Sequence, residues 1–242
     1  MLKKEAVSCE VIFNDRDWER IDTYFKGYAG VDPSDVPEKY AEYVVPCRTI
    51  MKNEAKVLIK YCVADVTGTD ETGIHLENGE VFDGPIIQKA YEGIEQTVLF
   101  VTSVINMDEV MARHDDDQLN SFFLDFWGVG MLNTSREKLQ ALIAENLEGT
   151  GYEATSVWSP GQARFELKNQ KPLFATLKPE DIGVILDKFT RMVPLKTVSG
   201  TMGIVKSECK ADIVSCDYCE YRETCPGYIG TKLKDRKNVR IG

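Results

Sequence analysis

Four cysteines crowd the C-terminal end of the sequence, spaced Cys209-x6-Cys216-x2-Cys219-x5-Cys225 and followed at once by Pro226. A Cys-x2-Cys pair lets two thiolates reach one metal from a single turn. Two more complete a tetrahedral zinc set or the four corners of a 4Fe-4S cluster. Zinc would make the segment a structural knot, whereas the cluster would make it an electron carrier. Zinc ribbons usually show two Cys-x2-Cys knuckles and this chain has one. A proline directly after the last cysteine is common in ferredoxin-type runs and adds a little weight to the 4Fe-4S cluster, but the spacing alone does not choose between the cluster and zinc. Cys9, Cys47 and Cys62 stand among apolar neighbours and are expected to pack as small hydrophobes.

A second stretch with chemical potential is "VWSPGQARFELKNQKPLF". Proline fixes φ and glycine allows positive φ, so Pro160-Gly161 predicts a tight turn that brings backbone N–H and C=O groups up to a flat ligand. The other polar residues are less specific. His75 alternates with apolar neighbours and is expected to face water. "HDDD", residues 114 to 117, reads as a solvated helix face in preference to a cation site. There is no HExxH, no GxGxxG and no GxxxxGK[ST], which disfavours a zinc hydrolase, a dinucleotide fold and a P-loop.

The elements that must position these residues follow from periodicity. From Asn14, the residues Trp18, Ile21, Tyr24, Phe25 and Tyr28 recur at helical spacing, with Asn14 or Asp15 as cap. A second helix should end near Met51 and a strand should occupy "KVLIKYCVADV". "GIHLENGEVF" predicts a hairpin with a type I′ turn at Asn78-Gly79. A buried strand is expected over 97–104, continuing into a long helical pattern. "SREKLQALIAENLEG" predicts a capped amphipathic helix, with Ser135 as cap and Leu139, Leu142, Ile143 and Leu147 on one face. After a strand running into the Pro-Gly turn come a short helix at "NQKPLFATL", a strand at "IGVIL" and another at "KTVSGTMGIVK". The mixture without βαβ repetition predicts an α+β fold with a bent, mostly antiparallel sheet and flanking helices. The expected division is an N-terminal segment, 1–69, packed on an α+β core, 70–205, with a cysteine-rich metal-binding tail, 206–242.

The formal charge of −10 repels phosphate backbones, so nucleic acid is not an expected partner. The basic tail "KLKDRKNVRIG" is too short to reverse that sign and reads as a solvated terminus. No apolar run is long enough for a signal peptide or a membrane span, so the expectation is a cytoplasmic protein with no membrane partner.

The ordered series "SPGQARFELKNQKPLF", "IGVILDKFTRMVPLKTVSG" and "TVLFVTSVINMDEV" resembles the reactivation domain of cobalamin-dependent methionine synthase and its stand-alone relatives. Those proteins carry a Pro-Gly-Tyr turn, a Leu-Phe helix, an Ile-Gly-Val strand and a Met-x-Pro-x-Lys-Ser-Val-Ser-Gly segment. Here the last appears as Met192, Pro194, Lys196, Thr197, Val198, Ser199 and Gly200. The resemblance spans roughly residues 70 to 205. It implies a domain that binds S-adenosylmethionine over a corrin ring and supports reductive methylation of Co(II) cobalamin. The implied ligand turn is Trp158, Ser159, Pro160, Gly161 and Gln162, with Thr197, Ser199 and Gly200 bordering the cleft.

Two positions depart from the family pattern. Gln162 replaces the tyrosine, and Val157 stands where an arginine helps hold the S-adenosylmethionine carboxylate. Losing that bidentate partner weakens the expectation of the methyl donor more than that of the corrinoid. Arg164 lies close enough in sequence to substitute. The implied partners are a corrinoid protein or methyltransferase and a low-potential electron donor. A cluster on the four cysteines would suit that role, since iron–sulfur potentials extend down to about −700 mV. The alternative is a non-catalytic corrinoid- or partner-binding module with a structural zinc.

Overall fold

The computed structural model describes residues 4–114, 117–209, 213–223 and 225. The basic tail, Pro226, and Asp115 and Asp116 of the "HDDD" run lie outside the described residues.

One curled antiparallel sheet organises the chain. Strand β2 (Val57–Asp70) runs through its middle, and β5 (Gln96–Val104) and β9 (Thr197–Lys206) pair beside it in turn. The short strands β6 (Tyr152–Ala154) and β4 (Val81–Phe82) end the path β4-β3-β2-β5-β9-β6, with β3 (Gly73–Leu76) next to β4. β1 (Val7–Glu10) pairs with the first part of β2, and β3 with the last part beyond a register shift between Val66 and Gly68. That irregularity is where a long strand bends. A separate small hairpin joins β7 (Ile185–Leu186) to β8 (Met192–Val193).

Alternation sorts the two sheet faces. Val98, Phe100, Met202 and Ile204 pack with Leu139, Ile143 and Leu147 of the long helix α5 (Gln118–Leu147). Leu99, Val101 and Val205 turn the other way, against α3 (Pro85–Ala90) and α6 (Gln170–Leu177). A further cluster fastens α1 (Asp15–Ala29) and α2 (Ala41–Glu54) to the first half of α5, with α4 (Met107–Arg113) beside it.

Helix α1 begins where the capping chemistry dictates. Asn14 accepts from the Asp17 N–H, and Asp17 accepts in return from the Asn14 N–H, both at 2.9 Å. Trp18, Ile21, Tyr24 and Phe25 are buried as the periodicity predicts, and the Phe25 ring stacks on Trp127 at 3.9 Å. Where the helices meet, Gly130 allows contact with Ile21: an added Cβ would lie 3.0 Å from its side chain and carbonyl.

Four local expectations are revised. Ser135 caps nothing: it lies inside one continuous helix of 30 residues whose cap is Asp117, and its buried hydroxyl bonds the Leu132 carbonyl and Thr102 of the sheet. Leu142 points outward, 39% exposed, while Leu139, Ile143 and Leu147 are buried. The β3–β4 connection is a three-residue loop. Leu76 donates to Glu80 while Gly79 alone takes positive φ, at 86°, so a bulged turn replaces the two-residue type I′ turn. Cys47 and Cys62 are buried, but Cys9 is exposed on short β1.

Between α1 and α5 lies a half-buried charge pair. Arg20 donates to both Glu137 carboxylate oxygens, at 2.8 and 2.6 Å, and the Tyr24 hydroxyl donates to Glu137 at 2.5 Å. Burial pushes the Tyr24 phenol up to about 12, with the Glu137 charge adding to it. For Glu137, burial alone would raise the carboxyl, but Arg20 and Tyr24 outweigh it and hold it below its ordinary value of 4.5. A carboxylate lowered in the fold stabilises above its unfolded pKa, and that stabilisation is lost as pH falls through the folded one. Replacing Arg20 with Met should therefore cost about 1 kcal/mol near neutrality. The deficit should shrink as the pH drops below 4.5, which urea denaturation at paired pH values will read.

Candidate functional site

The predicted turn forms, and β9 holds it. Trp158 makes both backbone bonds to Thr201, N–H to O at 2.9 Å and O from N–H at 2.8 Å. Immediately beyond it the chain leaves the ladder. The Gln162 N–H reaches the Ser159 carbonyl at 3.1 Å, closing a turn with Pro160 and Gly161 at its centre and φ of 90° at Gly161. That is type II geometry, which the Pro-Gly pair favours. A second turn follows at once, with the Phe165 N–H on the Gln162 carbonyl at 2.8 Å and positive φ at both Ala163, 49°, and Arg164, 63°. Two consecutive non-glycine residues in the left-handed region store strain of the kind that collects at binding sites.

Burial divides the turn into an anchored base and a presented tip. Trp158, Ser159 and Pro160 are buried, whereas Gly161, Gln162 and Arg164 are exposed. Phe165 plunges back into the core edge-on to Phe82, with ring centroids 5.9 Å apart. Val157 faces the opposite side of the sheet and packs against the cluster beneath α5. Position 157 therefore offers the tip neither charge nor side chain, and Arg164 is the cation that the turn itself presents.

Thr197, Ser199 and Gly200 enter from β9. Thr197 is committed: its hydroxyl donates to the Pro194 carbonyl at 2.6 Å and pairs with Ser103 at 2.7 Å. Ser199 and Thr201 share the sheet face of Leu99 and Val101. Thr201 is bonded to Tyr91 and Thr97, each at 2.5 Å. The Ser199 hydroxyl, 2% exposed, and the Trp158 indole N–H have no partner among the described residues. Leaving a buried polar atom without a partner costs about 1–3 kcal/mol. Gly200 works by lacking a side chain. An added Cβ would sit 2.8 Å from two Phe100 ring carbons and 3.1 Å from the Trp158 carbonyl.

The cysteine segment comes to this same place. The Ser156 hydroxyl donates to the Ile213 carbonyl at 3.1 Å, and the Tyr218 ring lies 6.2 Å from that of Trp158. Ile213, Tyr218 and Cys219 pack against the core cluster that contains Trp158, and Val214 is buried. From the helical side, burial raises the phenol of Tyr28 on α1, and the neighbouring Cys225 adds to that rise. Burial pushes the Cys216 thiol up, Cys225 and Cys219 add to that, and Arg136 of α5 opposes it. Cys216 thus lies within reach of both Cys219 and Cys225. Cys209 instead stands exposed on the turn Ser207–Cys209 that ends β9. Among the described residues no three His, Cys, Asp or Glu side chains are arranged to hold a metal ion. The four-thiolate centre suggested by the spacing is not assembled in this geometry.

The remaining candidates have ordinary partners. His75 is half-buried, with Nε2 3.1 Å from the Thr72 hydroxyl and 2.9 Å from Asp70. His114 Nε2 lies 3.0 Å from Glu54, and Asp117 caps α5. Sequence reasoning missed Lys60, 5% exposed on the same sheet face as the turn. Its ammonium donates to the Lys178 carbonyl at the end of α6 and to Asp181, each at 2.7 Å. A lysine inside the apolar run of a strand was the available signal.

No family model matches the chain, and no curated protein matches its sequence. Among solved structures, the crystal structure of the MetH reactivation domain bound to AdoHcy matches at a TM-score of 0.58 and 14% sequence identity. The match covers 88% of this chain and 82% of that one. The chain has the fold of the MetH reactivation domain, an α+β fold built on a curled antiparallel sheet with flanking helices. No helix among the described residues is long and apolar enough to cross a membrane.

The strain in the second turn is open to measurement. Replacing Arg164 with Gly should raise unfolding stability by about 1 kcal/mol, because glycine tolerates the left-handed region. If the turn is held for binding, the same variant should lose ligand affinity while gaining thermal stability. Denaturation and ligand titration on one preparation test both halves.

Proposed function

We propose that this chain is a corrinoid-related reactivation protein, which assists the reduction or reductive methylation of a Co(II) corrinoid in a cobalamin-dependent methyltransferase system. The observation that carries the reading is the exposed Gly161-Gln162 tip, seated on buried Pro160 and tied to β9 through Trp158, on a sheet with the MetH reactivation-domain fold. The tip is anchored through Trp158 and braced internally, with the Gly161 N–H on the Phe165 carbonyl at 2.6 Å, and its exposed face at Gly161 carries no side-chain bulk, which suits contact with a planar macrocycle. The partner would be a corrinoid protein or the methyltransferase itself, supplied by a low-potential electron donor.

AdoHcy is the ligand of the MetH structure, and by analogy S-adenosylmethionine is the candidate methyl donor here. Its carboxylate would find Arg164 as the nearby cation, since Val157 is turned into the core. An exposed arginine on a strained turn makes a weaker carboxylate clamp than a positioned bidentate one. Corrinoid contact is therefore expected to exceed amino-acid recognition in strength.

A 4Fe-4S cluster or a zinc ion would be held by Cys209, Cys216, Cys219 and Cys225, and either requires Cys209 to join the other three. Stoichiometric iron and sulfide in anaerobically purified protein would support the electron-transfer form of the proposal. Stoichiometric zinc would support the second reading, a binding module whose tail is fastened by metal. The packing of Ile213, Tyr218 and Cys219 on the core favours that fastening role.

Separate titrations with cob(II)alamin and S-adenosylmethionine test the main reading. Binding of cob(II)alamin is expected, with S-adenosylmethionine weaker, and failure of both to bind would remove the proposal. Replacing Gly161 with Val forces a branched side chain into positive φ, 3.2 Å from Leu167. It should weaken corrinoid binding by about tenfold, or 1.4 kcal/mol, with unchanged circular dichroism.

A further inference from the structure

We infer that the cysteine segment sets the conformation of the ligand turn, and that Tyr218 is the positioning residue that transmits the state of Cys216 and Cys219 to Trp158. The inference rests on the reading of residues 158–162 as the ligand turn, and it deepens that reading by giving the site a control element.

The physical chain is short. Trp158 is the last residue tied to β9 by reciprocal backbone bonds before the Ser159–Gln162 turn begins, so a rotation or shift of Trp158 moves the first residue of the turn. Its ring is 1% exposed, and the Tyr218 ring borders it at 6.2 Å and an interplanar angle of 43°. The Lys89 ammonium lies 5.8 Å from the centre of the Tyr218 ring. The tyrosine is therefore gripped between a cation and the indole, an arrangement with a preferred ring position.

Cys216 and Cys219 bracket Tyr218 in sequence, and the Cys219 N–H approaches the Cys216 carbonyl at 3.4 Å across the turn that contains it. Anything that engages those two sulfurs acts on the backbone that carries the tyrosine. Both cysteines are half-buried, so reagents and metal ions have access while the packing stays sensitive to added bulk. Cys219 itself packs against the same core cluster as Trp158. The hydrogen bond from Ser156 to the Ile213 carbonyl, 3.1 Å, holds the start of the segment two residues upstream of Trp158. The segment thus contacts both the approach to the turn and its anchor. Soft metal ions and thiol-directed reagents are the ligand class for this control site. Because coupling is reciprocal, a molecule on the turn should in return alter the reactivity of the two thiols.

The test uses the full chain labelled with 5-fluorotryptophan, which gives one fluorine resonance for each of the three tryptophans. Replacing Trp158 with Phe assigns its signal. Reduced protein is alkylated with iodoacetamide, and mass spectrometry confirms reaction at Cys216 and Cys219. The Trp158 resonance is expected to move while those of Trp18 and Trp127, buried in the helical cluster, stay fixed. Tyr218→Leu should abolish the movement, and Tyr218→Phe, which keeps the ring, should retain it. A stationary Trp158 resonance after confirmed alkylation overturns the inference, as does an equal movement in Tyr218→Leu or a movement of all three signals.

Cob(II)alamin titration of the same samples separates this inference from the reading beneath it. Alkylation should change affinity about fivefold or more in the wild-type chain and leave it unchanged in Tyr218→Leu. Corrinoid binding that alkylation leaves unchanged refutes the control role and preserves the site. A moving resonance without corrinoid binding in any sample supports the transmission and refutes the ligand.

Discussion

The site depends on one missing side chain. At position 200 of β9, the Phe100 ring of the neighbouring strand and the Trp158 carbonyl of the returning chain occupy the space a Cβ would need, at 2.8 and 3.1 Å. Glycine there lets the chain after β6 lie against the sheet closely enough for Trp158 and Thr201 to exchange both backbone bonds. That exchange fixes the takeoff point of the Pro-Gly turn. The turn's strain at Ala163 and Arg164 is sustained because Trp158 on one side and Phe165 on the other are both locked in the core.

The two faces of the sheet have different tasks. On the face beneath α5, Val98, Phe100, Met202 and Ile204 pack against the helix, and the Thr102–Ser135 hydroxyl pair lies between the two layers. On the other face a row of small polar residues, Thr197, Ser199 and Thr201, runs among Leu99, Val101 and Trp158. Two of those hydroxyls are satisfied internally, by Ser103 and Tyr91 among others, and the middle one at Ser199 has no partner among the described residues. The cysteine segment approaches this second face through Ile213, Tyr218 and Cys219.

Much of this was legible in the sequence because the signals were local. Proline beside glycine specifies a type II turn wherever it occurs, and the aromatic spacing from Trp18 to Phe25 names a buried helix face. The strands over 96–104 and 197–206 were read from apolar runs and alternation. The errors lay where a distant partner decides. Ser135 has the chemistry of a cap, but Thr102 on β5 accepts its company inside the helix. Asn78-Gly79 has the chemistry of a two-residue turn, but Asn78 is engaged with Thr176 of α6 and the loop widens. The cysteines show the same limit: spacing gives the reach of each thiol but not the direction of β9 as it ends, which leaves Cys209 exposed.

The lateral limits of the sheet also shape how other molecules meet this one. The path of strands stops at a two-residue strand on one side and a three-residue strand on the other, and the four-residue β1 forms a further short edge along β2. So few unpaired backbone groups offer a poor template for an added strand, which guards against edge-to-edge self-association. Recruitment by strand addition is thereby disfavoured, and specificity is left to side chains and turn backbone displayed beyond the ladder.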